Sequence, residues 1–312
     1  MGRPSKRCCD VHTMTTNNGL LLIDKPKGLT SHDVVAHVRK VMNEQRVGHA
    51  GTLDPMATGL LVLAVGPSTR LLRFAQSETK RYEGVVTFGV RTDSLDADGE
   101  VLERRDVPVL SVDAVTTEAA MMLGSLSQIP PMVSAIKIKG KRLHALAREG
   151  VVVEREPRDI TIQSFTLAPT ERPDEWTFDV TCSVGTYVRV LLSDLAERLG
   201  TIGHLSALRR LSSGPHDVKK ALSFDQLDQR VAAGDVVLQP PRAFTTQLEE
   251  IVVSEDEERR LRMGQRVALA APVSDEIAAL NAHGGLVAVL HRRGETWQPD
   301  VVLPVQEINE RG

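Results

Sequence analysis

The sequence predicts an α+β fold, with strands and helices intermixed through a large first part and a small β-rich module at the C-terminus. Three observations predict it. Apolar residues run unbroken over short stretches such as Leu60-Leu61-Val62-Leu63-Ala64-Val65, as in a buried strand. At Trp176, Phe178, Val180 and Cys182 they alternate with polar or small residues, as in a half-buried strand. At Val34, Val35, Val38, Val41 and Met42, and again at Leu191, Leu192, Leu195 and Leu199, they recur at helical spacing.

The elements follow in order. Residues 1–18 are polar and read as a disordered extension without the apolar core of a secretory signal. Gly19 to Asp24 reads as a strand that runs into the turn Lys25-Pro26-Lys27-Gly28. Thr30-Ser31-His32-Asp33 has the form of a capping box, so a helix starts there. The glycine-rich stretch Gly48 to Gly59 reads as a turn, followed by the Leu60–Val65 strand. Arg81 to Gly89 reads as another strand, and Asp93 to Gly99 as a polar turn. That turn lacks the ligand spacing and terminal Glu of a calcium loop, so no calcium site is expected.

Ser111 to Leu126 suits a helix, broken at Gln128-Ile129-Pro130-Pro131. Residues 129–150 have weak periodicity and a basic cluster, Lys137, Lys139, Lys141, Arg142 and Arg148, and read as a mobile arm. Ser183-Val184-Gly185 ends the Trp176–Cys182 strand, and a helix runs from Tyr187 to a stop at Gly200. Pro240-Pro241 reads as a linker. Beyond it, Ile251-Val252-Val253, Leu286 to Leu290 and Asp300 to Leu303 read as strands of the small module.

The chain has 312 residues, enough for one large domain and one small one. No apolar run reaches the roughly 20 residues that span a bilayer, so no membrane association is expected. The three cysteines, Cys8, Cys9 and Cys182, have neither disulfide-framework nor metal-ligand spacing, which fits a reducing cytoplasm and no metal. A net charge of −3 does not by itself mark a nucleic-acid binder. The distribution says more. Basic residues outnumber acidic ones by five over residues 1–90, while the C-terminal part carries the run Glu255-Asp256-Glu257-Glu258. Such asymmetry can give one face a positive potential, although solvated surface charge produces the same count.

One carboxylate stands out. Asp54 lies among Gly48, Gly51 and Gly59, which let a backbone approach a ligand closely. Pro55 keeps it out of a helix, and the following core strand holds it still. An Asp-Pro turn without chemistry is the plainer alternative. Only two tyrosines are present, Tyr82 in Lys80-Arg81-Tyr82 and Tyr187 in Gly185-Thr186-Tyr187-Val188-Arg189. Both adjoin cations, a pairing that suits stacking on a nucleobase and gripping its phosphate, or merely edge-strand aromatics with wet hydroxyls.

These segments, together with Asp24 to Gly28, Arg91-Thr92-Asp93, Ser134 to Lys137 and Leu208-Arg209-Arg210, resemble the TruB-type tRNA pseudouridine-55 synthases over about Gly19 to Leu211. The resemblance implies a pseudouridine synthase fold, with a mixed, mainly antiparallel sheet flanked by helices over residues 19–240. It implies a PUA-like RNA-binding module, more loosely, over residues 246–312. Its activity would be isomerisation of the T-loop uridine of tRNA: the N1–C1′ bond breaks, the uracil turns, and C5 bonds to C1′. No cofactor is implied, and neither a protein partner nor an oligomer is expected; the partner is tRNA.

By the same resemblance Asp54 is the catalytic carboxylate and must be ionised, either as a nucleophile on C1′ or C6 or as an electrostatic stabiliser. Arg189 pairs with it, Tyr82 stacks on the base and its hydroxyl helps remove the C5 proton, and Tyr187 walls the pocket. His49 fills the space of the flipped base, and Lys25 supports the Asp54 loop or touches RNA. Lys137, Lys139, Lys141 and Arg142 belong to a thumb-like insertion that orders on RNA. In the C-terminal module Arg259, Arg260, Arg262 and Arg266 would form an RNA face with the acids turned away. His144 and Leu95 depart from the family pattern in the arm and in the Asp93 turn. Two other classes remain. A nucleoside hydrolase needs a second carboxylate, which the Asp54 motif lacks. An RNA-folding chaperone would make catalysis secondary.

Overall fold

A computed structural model describes residues 17–76, 79–132, 137–138, 141–142, 153–270 and 273–305, with only the backbone described at 137–138 and 141–142. Among them a nine-stranded sheet forms the centre of the molecule. Its strands are β1 (Gly19–Lys25), β2 (Val47–Ala50), β3 (Thr58–Val65), β4 (Thr79–Phe88), β5 (Gly124–Gln128), β6 (Arg158–Pro169), β7 (Glu175–Ser183), β8 (Gly203–Ser213) and β9 (His216–Asp217). The spatial order is β1-β3-β8-β4-β7-β6-β5, with β2 paired to β3 and β9 to β8. Every pairing is antiparallel except β8 with β3, which is parallel. The sheet is therefore mixed and mainly antiparallel.

The unbroken apolar runs Leu20–Ile23 of β1 and Leu60–Val65 of β3 have a direct cause, because both strands are covered on both faces there. Leu21, Ile23, Leu61, Leu63 and Val65 pack against helix α1 (Ser31–Val41) through Val34, Val35 and Val38, and against Leu227. Leu20, Leu22, Leu60, Val62 and Ala64 face the other way, into a core shared with Phe244, Ala278, Leu280, Leu286 and Val301 of the C-terminal part. The strand β7 alternates because only one face is covered. Its Trp176, Phe178, Val180 and Cys182 join Val115 and Ala119 of helix α2 (Val112–Ala120) and Leu191, Leu192 and Leu195 of helix α3 (Val188–Arg198).

A helix α4 (Phe224–Ala232) precedes the C-terminal part, where helix α5 (Glu255–Arg262) joins a second sheet. Its four strands are β10 (Glu249–Val252), β11 (Glu276–Leu280), β12 (Leu286–Arg293) and β13 (Thr296–Val302), paired in that order.

The capping box at Thr30 and Asp33 forms as its sequence requires. Four expectations are corrected. The helix expected over Ser111 to Leu126 stops at Ala120, because Gly124 takes φ +88° and turns the chain into the edge strand β5. Gly48 and His49 lie in β2, so the glycine-rich turn begins only at Gly51. Pro240-Pro241 is not a free linker, since Gln239 exchanges backbone hydrogen bonds with Leu20 and Pro241 is buried. In α5 the acids are not turned away from the arginines: Asp256 binds Arg259, and Glu258 binds Arg262. That is the ordinary outcome when acids fill the first turn and arginines the last, at i,i+3 and i,i+4 spacing.

Of the arm, the described backbone pairs Lys137–Ile138 antiparallel with Lys141–Arg142. The side chains of Lys137, Lys141 and Arg142 lie outside the described residues, as do Lys139, His144 and most of the N-terminal extension.

Candidate active site

The loop after β2 carries Asp54, and several contacts fix it from below. Gly51 sits at φ +86° and opens the turn. Ser31, at the start of α1, donates from Oγ to the Leu53 carbonyl at 3.2 Å and accepts from the Leu53 amide at 2.9 Å. Lys25 is fully buried, and its ammonium donates to the carbonyls of Pro26 (3.0 Å), Leu29 (2.7 Å) and Pro55 (3.3 Å). Burial pushes its pKa down to about 8, with Asp54 and Asp33 pulling it back up. Lys25 is thus a brace under the loop. Of the two expected roles, support of the Asp54 loop or contact with RNA, this geometry fits the first, because all three of its donor directions are spent on the backbone and none of its surface is open.

Arg189 comes from the first turn of α3 and is only 4 % exposed. Gln128, at the end of β5, positions that turn by accepting from the Tyr187 amide at 2.8 Å and donating to the Tyr187 carbonyl at 3.1 Å. From this place Arg189 Nε lies 3.2 Å from Asp54 Oδ2. Its Nη1 donates to the Ser94 carbonyl at 2.9 Å and lies 3.3 Å from Asp96 Oδ2. Asp96 in turn accepts from Ser94 Oγ at 2.6 Å. Leu95, between these two, takes φ +62°, a conformation that costs an L-residue about 1–2 kcal/mol. The left-handed turn brings the carbonyl of residue 94 and the carboxylate of residue 96 to the same guanidinium nitrogen.

Two carboxylates therefore share one buried guanidinium. Asp54 keeps 37 % of its side-chain surface open to a cleft, whereas Asp96 keeps 7 %. Desolvation at the cleft floor pushes the Asp54 carboxyl upward in pKa; Arg189 opposes the shift, and Asp96 adds to it. Asp54 is the acid a ligand can reach.

The cleft encloses about 240 Å³ and is lined by Gly51 to Asp54, Lys80, Tyr82, Ser183, Gly185 to Arg189, and Leu208. Tyr82 and Tyr187 are both in its wall. Tyr82 projects from β4, is 8 % exposed, and has its phenol pushed upward in pKa by burial while Arg210 pulls it back. His49 does not line this cleft. It sits on β2, edge-on to His32 with ring centroids 5.7 Å apart, and its Nδ1 is buried with no hydrogen-bond partner among the described residues. Burial, then His32 and Arg210, push its imidazole down in pKa, so it is neutral near pH 7. Among the described residues no group of three or more His, Cys, Asp or Glu side chains is placed to hold a metal ion. No described helix is long and apolar enough to cross a membrane.

Sequence reasoning assigned no role to three residues of this site. Asp96 was hidden in a turn read as merely polar. Lys80 shares the inward face of β4 with Tyr82 at spacing i,i+2, a signal that was available. Arg210 is fully buried under the loop, donating from Nε to the Leu60 carbonyl at 2.7 Å and from Nη2 to the Gly51 carbonyl at 3.1 Å. Adjacent strand residues point to opposite faces, so one member of Arg209-Arg210 had to turn inward. Arg209 takes the outer face and pairs with Asp24 at 2.7 Å.

Residues 39–188 match the family model of the TruB family pseudouridylate synthase N-terminal domain. A protein named tRNA pseudouridine synthase B from Leifsonia xyli subsp. xyli is 40% identical over 301 residues, covering 93% of this chain and 98% of the relative. Another of that name, from Thermobifida fusca, is 40% identical over 293 residues, covering 92% of this chain and 98% of its own. Among solved structures, an H/ACA RNP bound to a substrate RNA containing 2′-deoxyuridine aligns with TM-score 0.70 at 19% identity, covering 93% of this chain and 86% of the matched chain. The archaeal box H/ACA sRNP Nop10–Cbf5 complex aligns with TM-score 0.69 at 19% identity, covering 97% and 90%. At that identity these structures bear on the fold alone.

Proposed function

This chain belongs to the TruB family of pseudouridylate synthases, and from that premise we propose a mechanism in which Asp54 acts on the T-loop uridine of tRNA, position 55. The enzyme is a tRNA pseudouridine synthase; the target position and the residue roles are our reading. The observation that carries it is the 3.2 Å pair between Arg189 Nε and Asp54 Oδ2 at the floor of a cleft walled by Tyr82 and Tyr187.

The target uridine is stacked inside a folded loop and must swing out to reach the cleft. Flipping costs a few kcal/mol, and stacking of the base on Tyr82 returns about 1–3 kcal/mol. The His49 ring, neutral and off to the side of the cleft, takes the space the base leaves. The basic arm at Lys137, Lys139, Lys141 and Arg142 supplies RNA grip.

With the base in place, the cleft loses its water, and the attraction of Arg189 for the Asp54 carboxylate strengthens. That attraction counters the desolvation of Asp54 and keeps it ionised and aimed. Asp54 then meets the cationic character that develops as N1–C1′ breaks, by covalent attack on C1′ or C6 or through space. The uracil turns, C5 bonds to C1′, N1 takes up a proton and C5 loses one. A buried phenol is a weak base, so Tyr82 accepts the C5 proton only by passing its own hydroxyl proton on. Asp96 stays behind Arg189, out of reach, and holds the guanidinium in direction; it is not the second carboxylate of a hydrolase.

The second sheet is proposed as the PUA-like RNA-binding module. The chain acts without a protein partner, as a monomer and in the cytoplasm. A T-arm stem-loop with one loop uridine tests the reading: purified enzyme converts that uridine to pseudouridine, and a stem-loop with cytidine there gives no product. Conversion of neither RNA, or release of free uracil, contradicts it.

A further inference from the structure

The cleft holds a buried cation that the mechanism above leaves unused. Lys80 is 8 % exposed, lies two residues before Tyr82 on β4, and shares the cleft wall with Asp54. Among the described residues its ammonium has no hydrogen-bond acceptor and no carboxylate within ion-pair distance. The ammonium is largely desolvated and opens only onto the cleft, a costly place for a charge without a protein partner, so its presence calls for a compensating use.

The groups around it sharpen the point. Arg210, on β8, faces Lys80 with a like charge and is itself fixed by the carbonyls of Leu60 and Gly51. Cys182, on β7, is buried, its pKa pushed up to about 11, and is neutral near pH 7. Tyr82 is neutral for the same reason. Desolvation and Arg210 lower the Lys80 pKa to about 8, which leaves it charged at neutral pH and makes it a stronger donor. Asp54, across the cleft, is engaged by Arg189. The loop is also shaped around the ammonium: a Cβ at Gly51 would lie 2.8 Å from Lys80 Nζ.

The acceptor Lys80 lacks is of the kind the reaction creates. When N1–C1′ breaks, the bonding electron pair stays with the uracil and spreads onto its carbonyl oxygens. We propose that Lys80 is a further catalytic residue, whose ammonium donates to a uracil carbonyl oxygen and stabilises the charge on the detached ring. This rests on the pseudouridine synthase reading of the cleft. Lys80 keeps its proton throughout. The ring returns its electron pair in the new C5–C1′ bond, and N1 takes up a proton as C5 loses one, so the step balances with no co-reactant. A donor already in place in a desolvated cleft acts most strongly on charge that appears only as the bond breaks.

The test is Lys80→Met in the full-length enzyme, with single-turnover conversion of the T-arm stem-loop at saturating RNA, RNA affinity, and thermal melting. The expected result is conversion about 100-fold slower, with RNA affinity within about twofold of wild type and a higher melting temperature, since an unpaired buried cation has been removed. Conversion at the wild-type rate overturns the proposal. So does a rate that returns when RNA is raised further, which would make Lys80 an RNA-grip residue. So does a lower melting temperature or failure to fold, which would make it structural. An inactive wild-type enzyme would instead remove the pseudouridine synthase reading, so the two failures are distinct.

Discussion

The two sheets of this molecule treat charge in opposite ways. Around the cleft of the large sheet, Arg189, Arg210 and Lys80 are buried, and Asp54 and Asp96 compete for one guanidinium. In and around the small sheet, the arginines sit at the surface and meet acids one to one or in small groups. Arg259 binds Asp256, Arg262 binds Glu258, Arg242 binds Glu250, and Arg73 reaches from the large part to Glu276 and Asp300. Apart from Arg262–Glu258, which is half-buried, such exposed pairs contribute about 0–1 kcal/mol each. Buried, crowded charge is costly and is kept where it does chemistry. The contrast separates the part that acts on a substrate from the part that is merely well folded and well solvated.

Arg189→Lys should break the contrast most severely. A lysine offers one point charge where the guanidinium reaches Asp54, Ser94 and Asp96 together. Single-turnover conversion should fall about 10³-fold, with RNA affinity little changed; a loss under tenfold would show that a bare positive charge suffices. Phe244→Ala addresses the shared core instead. Phe244 packs with Leu20, Leu22 and Leu280 between the sheets. Chemical denaturation should show a loss of about 3 kcal/mol, with the conversion rate of the folded enzyme unchanged.

A smaller effect concerns stability against pH. The folded-state pKa of Asp54 is raised, chiefly by desolvation. The protonated form is the one the fold favours, so its contribution is complete below the ordinary carboxylate range and is lost as pH rises through the raised value. Asp54→Asn should melt at a higher temperature than wild type at pH 7, and the gap should close as the pH is lowered. A gap that widens on acidification would mean that Arg189 outweighs desolvation. Smallest of all, Arg259→Ala should shift stability by less than about 0.5 kcal/mol. A large loss there would erase the distinction between the two sheets.

The sequence made some of this readable and hid the rest. The Asp54 loop was legible because glycines, a proline and an unbroken apolar strand mark it locally, and the capping box at Thr30 was legible for the same reason. Arg189 could be paired with Asp54 only by family resemblance, since 135 residues separate the two positions. Asp96 became a site residue through the left-handed turn at Leu95, and no local pattern announces that a leucine will adopt it. The helix expected through Leu126 failed because Gly124 turns the chain and Leu126 serves the edge strand that follows it. The fate of Pro240-Pro241 was set by a partner far along the chain, since Gln239 pairs with Leu20.

The most direct measurement is tritium release from C5-labelled uridine in the T-arm stem-loop, compared between wild type and Asp54→Asn under single-turnover conditions with binding measured alongside. We expect the asparagine enzyme to bind RNA as wild type does and to release tritium at least about 10⁴-fold more slowly. Release at a comparable rate with intact binding would show that the carboxylate held by Arg189 is not the group that drives the reaction.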